Sequence, residues 1–188
     1  MSRLRPTALA LALAVAVTGA HAESRDYRLE PDHTFVHWEV RHFGTSTSRG
    51  RFGAVTGVVQ IDRDKRSGSV NLRIGTASVD TGLRPFDSRL READLLASNE
   101  FPDAYFVATQ LRFEGEALAE VRGEFILRGV SQPLSLIAKR FGCRQEPRGE
   151  VCGGDFEATI LRSDFGMTYG LPWIANAVRL QVQVQAVR

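Results

Sequence analysis

Val178-Arg179-Leu180-Gln181-Val182-Gln183-Val184-Gln185-Ala186-Val187 alternates without a break: Val178, Leu180, Val182, Val184 and Ala186 on one side, Arg179, Gln181, Gln183 and Gln185 on the other. Successive side chains of a strand point to opposite faces, so this segment makes an antiparallel strand with one apolar face and one face in water. The same period runs through the chain. From His33 to His42, residues Thr34, Val36, Trp38, Val40 and His42 share one face, and Phe35, His37, Glu39 and Arg41 the other. Arg51–Asp62 continues it, with Phe52, Thr56 and Val58 opposing Val55, Val59 and Ile61; after the polar turn Asp62–Gly68, residues Val70, Leu72 and Ile74 restart it. Further strands are read at Tyr105–Phe113, Leu118–Leu127, Leu134–Phe141 and Asp155–Leu161. One segment breaks the pattern. Between Pro85 and Ala97, Phe86, Leu90, Ala93 and Ala97 recur at helical spacing. The outline is all-β, about eight or nine strands and one short helix, and such spacing indicates a sandwich or barrel rather than an alternating α/β fold.

Residues 1–22 stand apart. Arg3 and Arg5 precede an apolar run, Ala8–Val17, and Ala20-His21-Ala22 supplies a small-x-small cleavage pattern. Such a run is too short to span a bilayer, which needs roughly 20 apolar residues. We therefore expect a cleaved signal peptide over 1–22 and one domain over 23–188, exported and not membrane-spanning. The 24 Lys+Arg against 22 Asp+Glu fall into balance once the two leader arginines are removed. The remaining charges are interspersed, which argues against a nucleic-acid partner. Cys143 and Cys152 are the only cysteines. In an oxidising compartment an even pair bonds, here as a staple on a hairpin loop contributing roughly 2–3 kcal/mol.

Signals for catalysis are weak. On a strand, His33 and His37 share a face about 13 Å apart at ~3.3 Å per residue, too far for one zinc, and His42 faces the other way. No metal site is expected. Asp164-Phe165-Gly166 matches a kinase tripeptide whose companion motifs are absent. Asp87, Glu92 and Asp94 read as a solvated helix face. His42 is of more interest as an inward-facing polar group that needs a partner.

Taken together in order, Asp32-His33-Thr34, Trp38-x-Val40-x-His42-Phe43-Gly44, Arg49-Gly50-Arg51-Phe52, Ser78-Val79-Asp80-Thr81-Gly82, Phe101-Pro102, Leu127-x-Gly129-Val130-Ser131-x-Pro133-Leu134 and Arg162-Ser163-Asp164-Phe165-Gly166-Met167 resemble the YceI family. The resemblance implies a lipocalin-like eight-stranded antiparallel barrel in the periplasm. It also implies a tunnel that holds a polyisoprenoid, quinone tail or similar long-chain amphiphile, without catalysis and without a cofactor beyond that lipid. The residues placed near the chain are Val36, Trp38, Val40, Phe52, Val59, Ile74, Phe101, Phe106, Phe125 and Phe165, with Thr34, His42 and Asp164 as polar contacts. Two positions depart from the family pattern: Phe86-Asp87-Ser88-Arg89 opens the helix, and Asn176 stands where an acid is common. Two alternatives remain beside the carrier. One is an enzyme using His42 or Asp164. The other is a filled barrel whose surface meets a partner, as a homodimer or against a membrane redox protein.

Overall fold

The computed structural model describes residues 25–188, so the expected leader lies outside the described residues. Its strands are β1 (Arg25–Leu29), β2 (Phe35–His42), β3 (Ser46–Phe52), β4 (Val55–Asp62), β5 (Ser67–Gly75), β6 (Val79–Asp80), β7 (Asp103–Glu114), β8 (Ala117–Leu127), β9 (Val130–Glu146), β10 (Gly149–Leu161) and β11 (Ile174–Val187). Among the described residues there is one α-helix, α1, Arg84–Leu90. Every neighbouring pair is antiparallel. The order β1-β4-β5-β7-β8-β9-β10-β11 closes through β1 against β11, giving an eight-stranded barrel. Closure pairs the ring strands on both sides, while the sheet continues from β11 through β2 to β3, whose outer edge pairs β6 only at Arg51 and Phe52.

The seam shows how closure is achieved. β11 pairs β10 along one edge and divides its other edge between β2 and β1. A 3-10 turn at Pro31–His33 separates these two, so His33 is not on the strand with His37. Thr34 bridges the interruption: its hydroxyl donates to the Gln185 carbonyl at 3.2 Å and accepts from the Gln185 N–H at 3.2 Å. β2 pairs β3 and β1 pairs β4, so β3 and β4 act as one bent strand beside the broken β1/β2 strand.

At that bend the expected parity fails. Phe52 and Val55 both pack in the core, not on opposite faces, because Gly53 and Ala54 leave the ladder between β3 and β4. Bulges in the β7–β8 pairing, between Ala108 and Gln110 and again between Arg112 and Phe113, similarly shift inward positions from Phe106 and Ala108 to Leu111.

The outer wall is laced with ion pairs. Arg179 joins Glu39 and Glu157, and Arg112 and Arg122 clasp Glu120. Cys143 and Cys152 form a disulfide, S–S 2.04 Å. They face each other across the β9–β10 ladder, not in its loop: three further pairs, from Arg144/Val151 to Glu146/Gly149, lie between the bridge and the turn.

The helix is shorter than its periodicity predicts. After Leu90 the chain makes wide turns, with Leu96 N–H donating to the Leu90 carbonyl and Ala97 taking a positive φ of 49°. The Arg91 guanidinium is drawn to the carbonyls of Ala77 and Val79, and Arg128 binds those of Ala93 and Leu95. In this stretch the Ala93 and Leu95 carbonyls accept from a side chain of the β8–β9 turn.

Candidate functional site: an apolar cavity under the helix

The inward faces of the strands do not fill the barrel. At the end covered by α1 they enclose a cavity of ≈ 190 Å³. β2 supplies Val36, Trp38, Val40 and His42; β3 supplies Ser48 and Phe52; β8 supplies Phe125 and Leu127; β11 supplies Val178 and Leu180. Phe86 and Leu90 of α1, with Leu95 and Leu96 from the turns after it, line it from the helix side. A smaller hollow of ≈ 60 Å³ lies toward the other end, among Tyr27, Val59, Phe106, Phe156, Val182 and Ala186. Leu180 and Val182 are consecutive inward positions of one strand, so the hollows are stacked along the barrel. From Ile174 to Ala186 the wall covers roughly 30 Å of axis at ~3.3 Å per residue and ~40° tilt.

An apolar void of this size is energetically informative. Apolar cavities of about 150 Å³ stay dry and accept apolar guests. At about 24 cal/mol per Å³, leaving ≈ 190 Å³ unpacked forgoes on the order of 4–5 kcal/mol, which a bound chain would restore.

Few polar groups reach the cavity, and most are already engaged. The Thr76 hydroxyl donates to the carbonyls of Phe101 (2.7 Å) and Pro102 (3.0 Å). Arg89 makes a two-pronged contact with Asp94 at 2.6 and 2.7 Å, adds Glu92 at 2.9 Å, and stacks 4.3 Å above the Tyr169 ring. The Asp94 hydrogen bonds raise the Arg89 pKa further above its ordinary value. Arg162, only 5 % exposed, has no carboxylate partner among the described residues. It donates instead to the carbonyls of Ala175 (2.9 Å), Met167 (2.7 Å) and Ile174 (2.9 Å), pinning the chain that crosses from β10 to β11. Burial lowers its pKa from the ordinary arginine value. The Trp38 indole N–H is buried and has no acceptor among the described residues. His42 meets the Phe43 ring edge-on at 4.6 Å, and no carboxylate among the described residues hydrogen-bonds its imidazole.

The whole barrel, from Tyr27 to Ala186, matches the model of the YceI-like domain. The chain belongs to the YceI-like family. It is 32% identical over 190 residues to a UPF0312 protein of Pseudomonas aeruginosa, covering 98% of this chain and 99% of that one. To Protein YceI of Salmonella arizonae it is 33% identical over 175 residues, 91% of each chain. Among solved structures, Burkholderia cenocepacia BcnA superposes with a TM-score of 0.71 at 19% identity, over 85% of this chain and 99% of that one. A polyisoprenoid binding domain from Saccharophagus degradans, implicated in plant cell wall breakdown, superposes at 0.65 and 18% identity, over 86% and 97%.

Within this YceI-like barrel, Val36, Trp38, Val40 and His42, which strand parity puts on one face, line the larger cavity together with Phe52, Ile74 and Phe125. Val59 and Phe106 line the smaller one. The other four lie elsewhere. Thr34 is fully buried with its hydroxyl spent on the seam. Asp164 is exposed on the turn Arg162–Phe165, where its carboxylate meets only Ser163. Phe165 packs edge-on against Phe125, centroids 5.6 Å apart. Phe101 sits under Arg128 and against Gly129, in the turn that leads into β7.

Asp87 corrects the solvated-helix reading: it is buried, and its carboxylate accepts from the Thr81 hydroxyl (2.6 Å) and N–H (2.8 Å). Asn176, one of the two departures from the family pattern, is bound to Ser163 in both directions. Strand parity could not find Arg89, Arg162, Leu95, Leu96, Met167 or Tyr169, because none lies on a strand. Cys143, Cys152 and Glu150 bring potential metal donors within 4.8 Å of one another, but the two sulfurs are bonded and Glu150 is engaged by Tyr27 and Arg63.

Proposed function

We propose that this chain is an exported, non-catalytic carrier that holds one long-chain amphiphile, of the polyisoprenoid or quinone-tail kind, with its chain in the cavity beneath α1. The observation that carries the reading is the unfilled apolar space of ≈ 190 Å³ continuing toward a second hollow on the same barrel axis. A barrel built only as a surface for partners would fill that space with side chains, since each buried methylene contributes about 0.8 kcal/mol. The polyisoprenoid-binding neighbour from Saccharophagus degradans supports the choice of ligand class.

Binding without turnover fits the polar groups at the site. Arg89, Arg162 and Thr76 are committed to partners within the fold, and among the described residues no carboxylate hydrogen-bonds His42 to set it as a base. The exposed Asp164 is outside the cavity lining. Export to the periplasm accords with the disulfide and with the expected leader.

The test is native mass spectrometry of protein purified from a bacterial periplasm, followed by organic extraction. The carrier reading expects a discrete added mass that extracts as an isoprenoid, quinone or related lipid. A clean apo mass that persists after incubation with such lipids would overturn it.

A further inference from the structure

We propose that the helix-covered end of the barrel docks on a lipid bilayer, through a rim formed by Phe43, Leu83, Tyr169 and Trp173. The inference rests on the carrier reading, because the bilayer is where a long-chain ligand resides when it is not in the cavity. Among the described residues these four are the most exposed large hydrophobic side chains, at 57, 59, 51 and 66 %. The others in that class lie between 37 and 45 %.

The four belong to three separate loops, and the fold gathers them at one end. Phe43 turns from β2 to β3, and its N–H donates to the Trp173 carbonyl at 2.8 Å. Tyr169 lies in the same β10–β11 crossing as Trp173 and stacks on Arg89 of α1. The Leu83 carbonyl accepts from Phe86 and Asp87 at the start of that helix. Tyr169 both lines the cavity and is half exposed, so rim and cavity are continuous there.

The opposite end has another character. Arg63 and Tyr27 hold Glu150, Arg148 holds Glu30, and Lys65 meets Asp62 at 3.1 Å. The wall between is covered by the ion pairs described above. Apolar exposure concentrated at a cavity mouth marks an interaction surface, and tryptophan and tyrosine favour the boundary between water and hydrocarbon. Contact there lets a prenyl or acyl chain pass from one apolar phase to the other without wetting its methylenes.

The chain has two tryptophans, one buried in the cavity wall and one on the rim. In a Trp38→Phe variant Trp173 is the sole reporter. Titration with phosphatidylcholine vesicles carrying brominated acyl chains should shift its emission to the blue and quench it. Adding Phe43→Ser and Leu83→Ser should weaken vesicle partition about tenfold or more, since each removes exposed apolar surface that the bilayer would bury. The melting temperature should stay unchanged, as both positions are exposed.

The proposal is overturned if Trp173 emission does not respond to excess vesicles, or if the double substitution leaves quenching intact. It is also overturned if sedimentation shows a dimer that already shields Trp173 without lipid, which would assign the rim to a second copy. Ligand occupancy is read separately by native mass. Vesicle binding by a chain that never carries lipid would reject the carrier and keep the docking surface.

Discussion

Replacing Gly50 by alanine tests whether the cavity is maintained by backbone space behind Trp38. Gly50 faces Trp38 across the β2–β3 ladder. A Cβ built on Gly50 stands 2.5 Å from Cζ2 and 2.8 Å from Cε2 of the indole, and 3.0 Å from the Asp80 carbonyl. Carbon atoms rest at about 3.5–4.0 Å, so the ring has to retreat by about 1 Å. The ladder holds β3, and the space that can receive the ring is the cavity. Overpacking costs about 1–3 kcal/mol, and the free volume should keep this case near 1–2 kcal/mol. For a chain of this size that lowers Tm by roughly 2–8 °C. The larger effect is on ligand. Displacing two or three methylenes at about 0.8 kcal/mol each weakens binding by about 2 kcal/mol, roughly 30-fold. Thermal scanning and titration of the delipidated protein with a long-chain ligand, followed by native mass, read the two effects separately. Adding Trp38→Leu to Gly50→Ala should recover most of the lost stability. If Gly50→Ala binds as tightly as the parent, the indole is not the wall it is taken to be.

Arg162→Lys keeps a charge but offers a point donor to three carbonyls that the guanidinium fork reaches at once, so we expect a loss on the order of 2–4 kcal/mol, measured from urea midpoints; an unchanged midpoint would show that the crossing is held by other contacts. Glu120, bonded first by Arg122 and then by Arg112, has its pKa depressed from 4.5 to about 2. In the unfolded chain it takes up a proton from near 4.5 downward while the folded chain does not, so its contribution is full above that range and is lost as pH falls toward 2. Stability of Glu120→Gln should therefore fall less steeply across that window, and parallel pH profiles would reject the account. Reducing the Cys143–Cys152 bridge should remove roughly 2–3 kcal/mol, lowering Tm by roughly 4–12 °C; a melt unaffected by reductant would mean that the β9–β10 ladder alone fixes the hairpin.

Much of the barrel is written in a period of two. Val178, Leu180, Val182, Val184 and Ala186 face inward as the alternation requires, and so do Val36, Trp38 and Val40. Where parity misleads, the chain has left the ladder. The pair Gly53-Ala54 carries no mark that would say whether Phe52 and Val55 keep or lose alternation, because that depends on the partners β3 and β4 find far along the chain. The bulges in the β7–β8 pairing are invisible for the same reason. The helix shows the converse failure. Phe86, Leu90, Ala93 and Ala97 have helical spacing, yet the helix ends at Leu90 and the following turns are tied by Arg128 to the β8–β9 turn. Local propensity is a weak prior against side chains that arrive from other elements.

The candidate site was legible only as a face, and a face does not say where a barrel is hollow. Phe106 and Phe125 stand on paired strands as inward aromatics, directly opposite in register, yet one lines the smaller hollow and the other the larger cavity. The difference lies in what meets them across the interior, and that is fixed by closure of the ring. Near Phe106 the interior also receives Tyr27, Phe156 and Leu111, and little space remains. The lining around Phe125 mixes Trp38 and Phe52 with Ala104, Ser48, Thr76 and several valines, and α1 and the turns after it contribute lining from outside the strands. The residues that cap the cavity from outside the strands, Arg89 of α1 and Arg162, Met167 and Tyr169 of the β10–β11 crossing, are brought there by hydrogen bonds to backbone carbonyls and by a cation stacked on a ring. Neither has a sequence period. The same loops carry the exposed aromatics of the rim, so what closes the cavity and what meets the surroundings are built from one set of segments. A substitution in the β10–β11 crossing that frees it from Arg162 should therefore disturb both retention of the chain and its exchange, whereas one on the ion-paired wall should disturb neither.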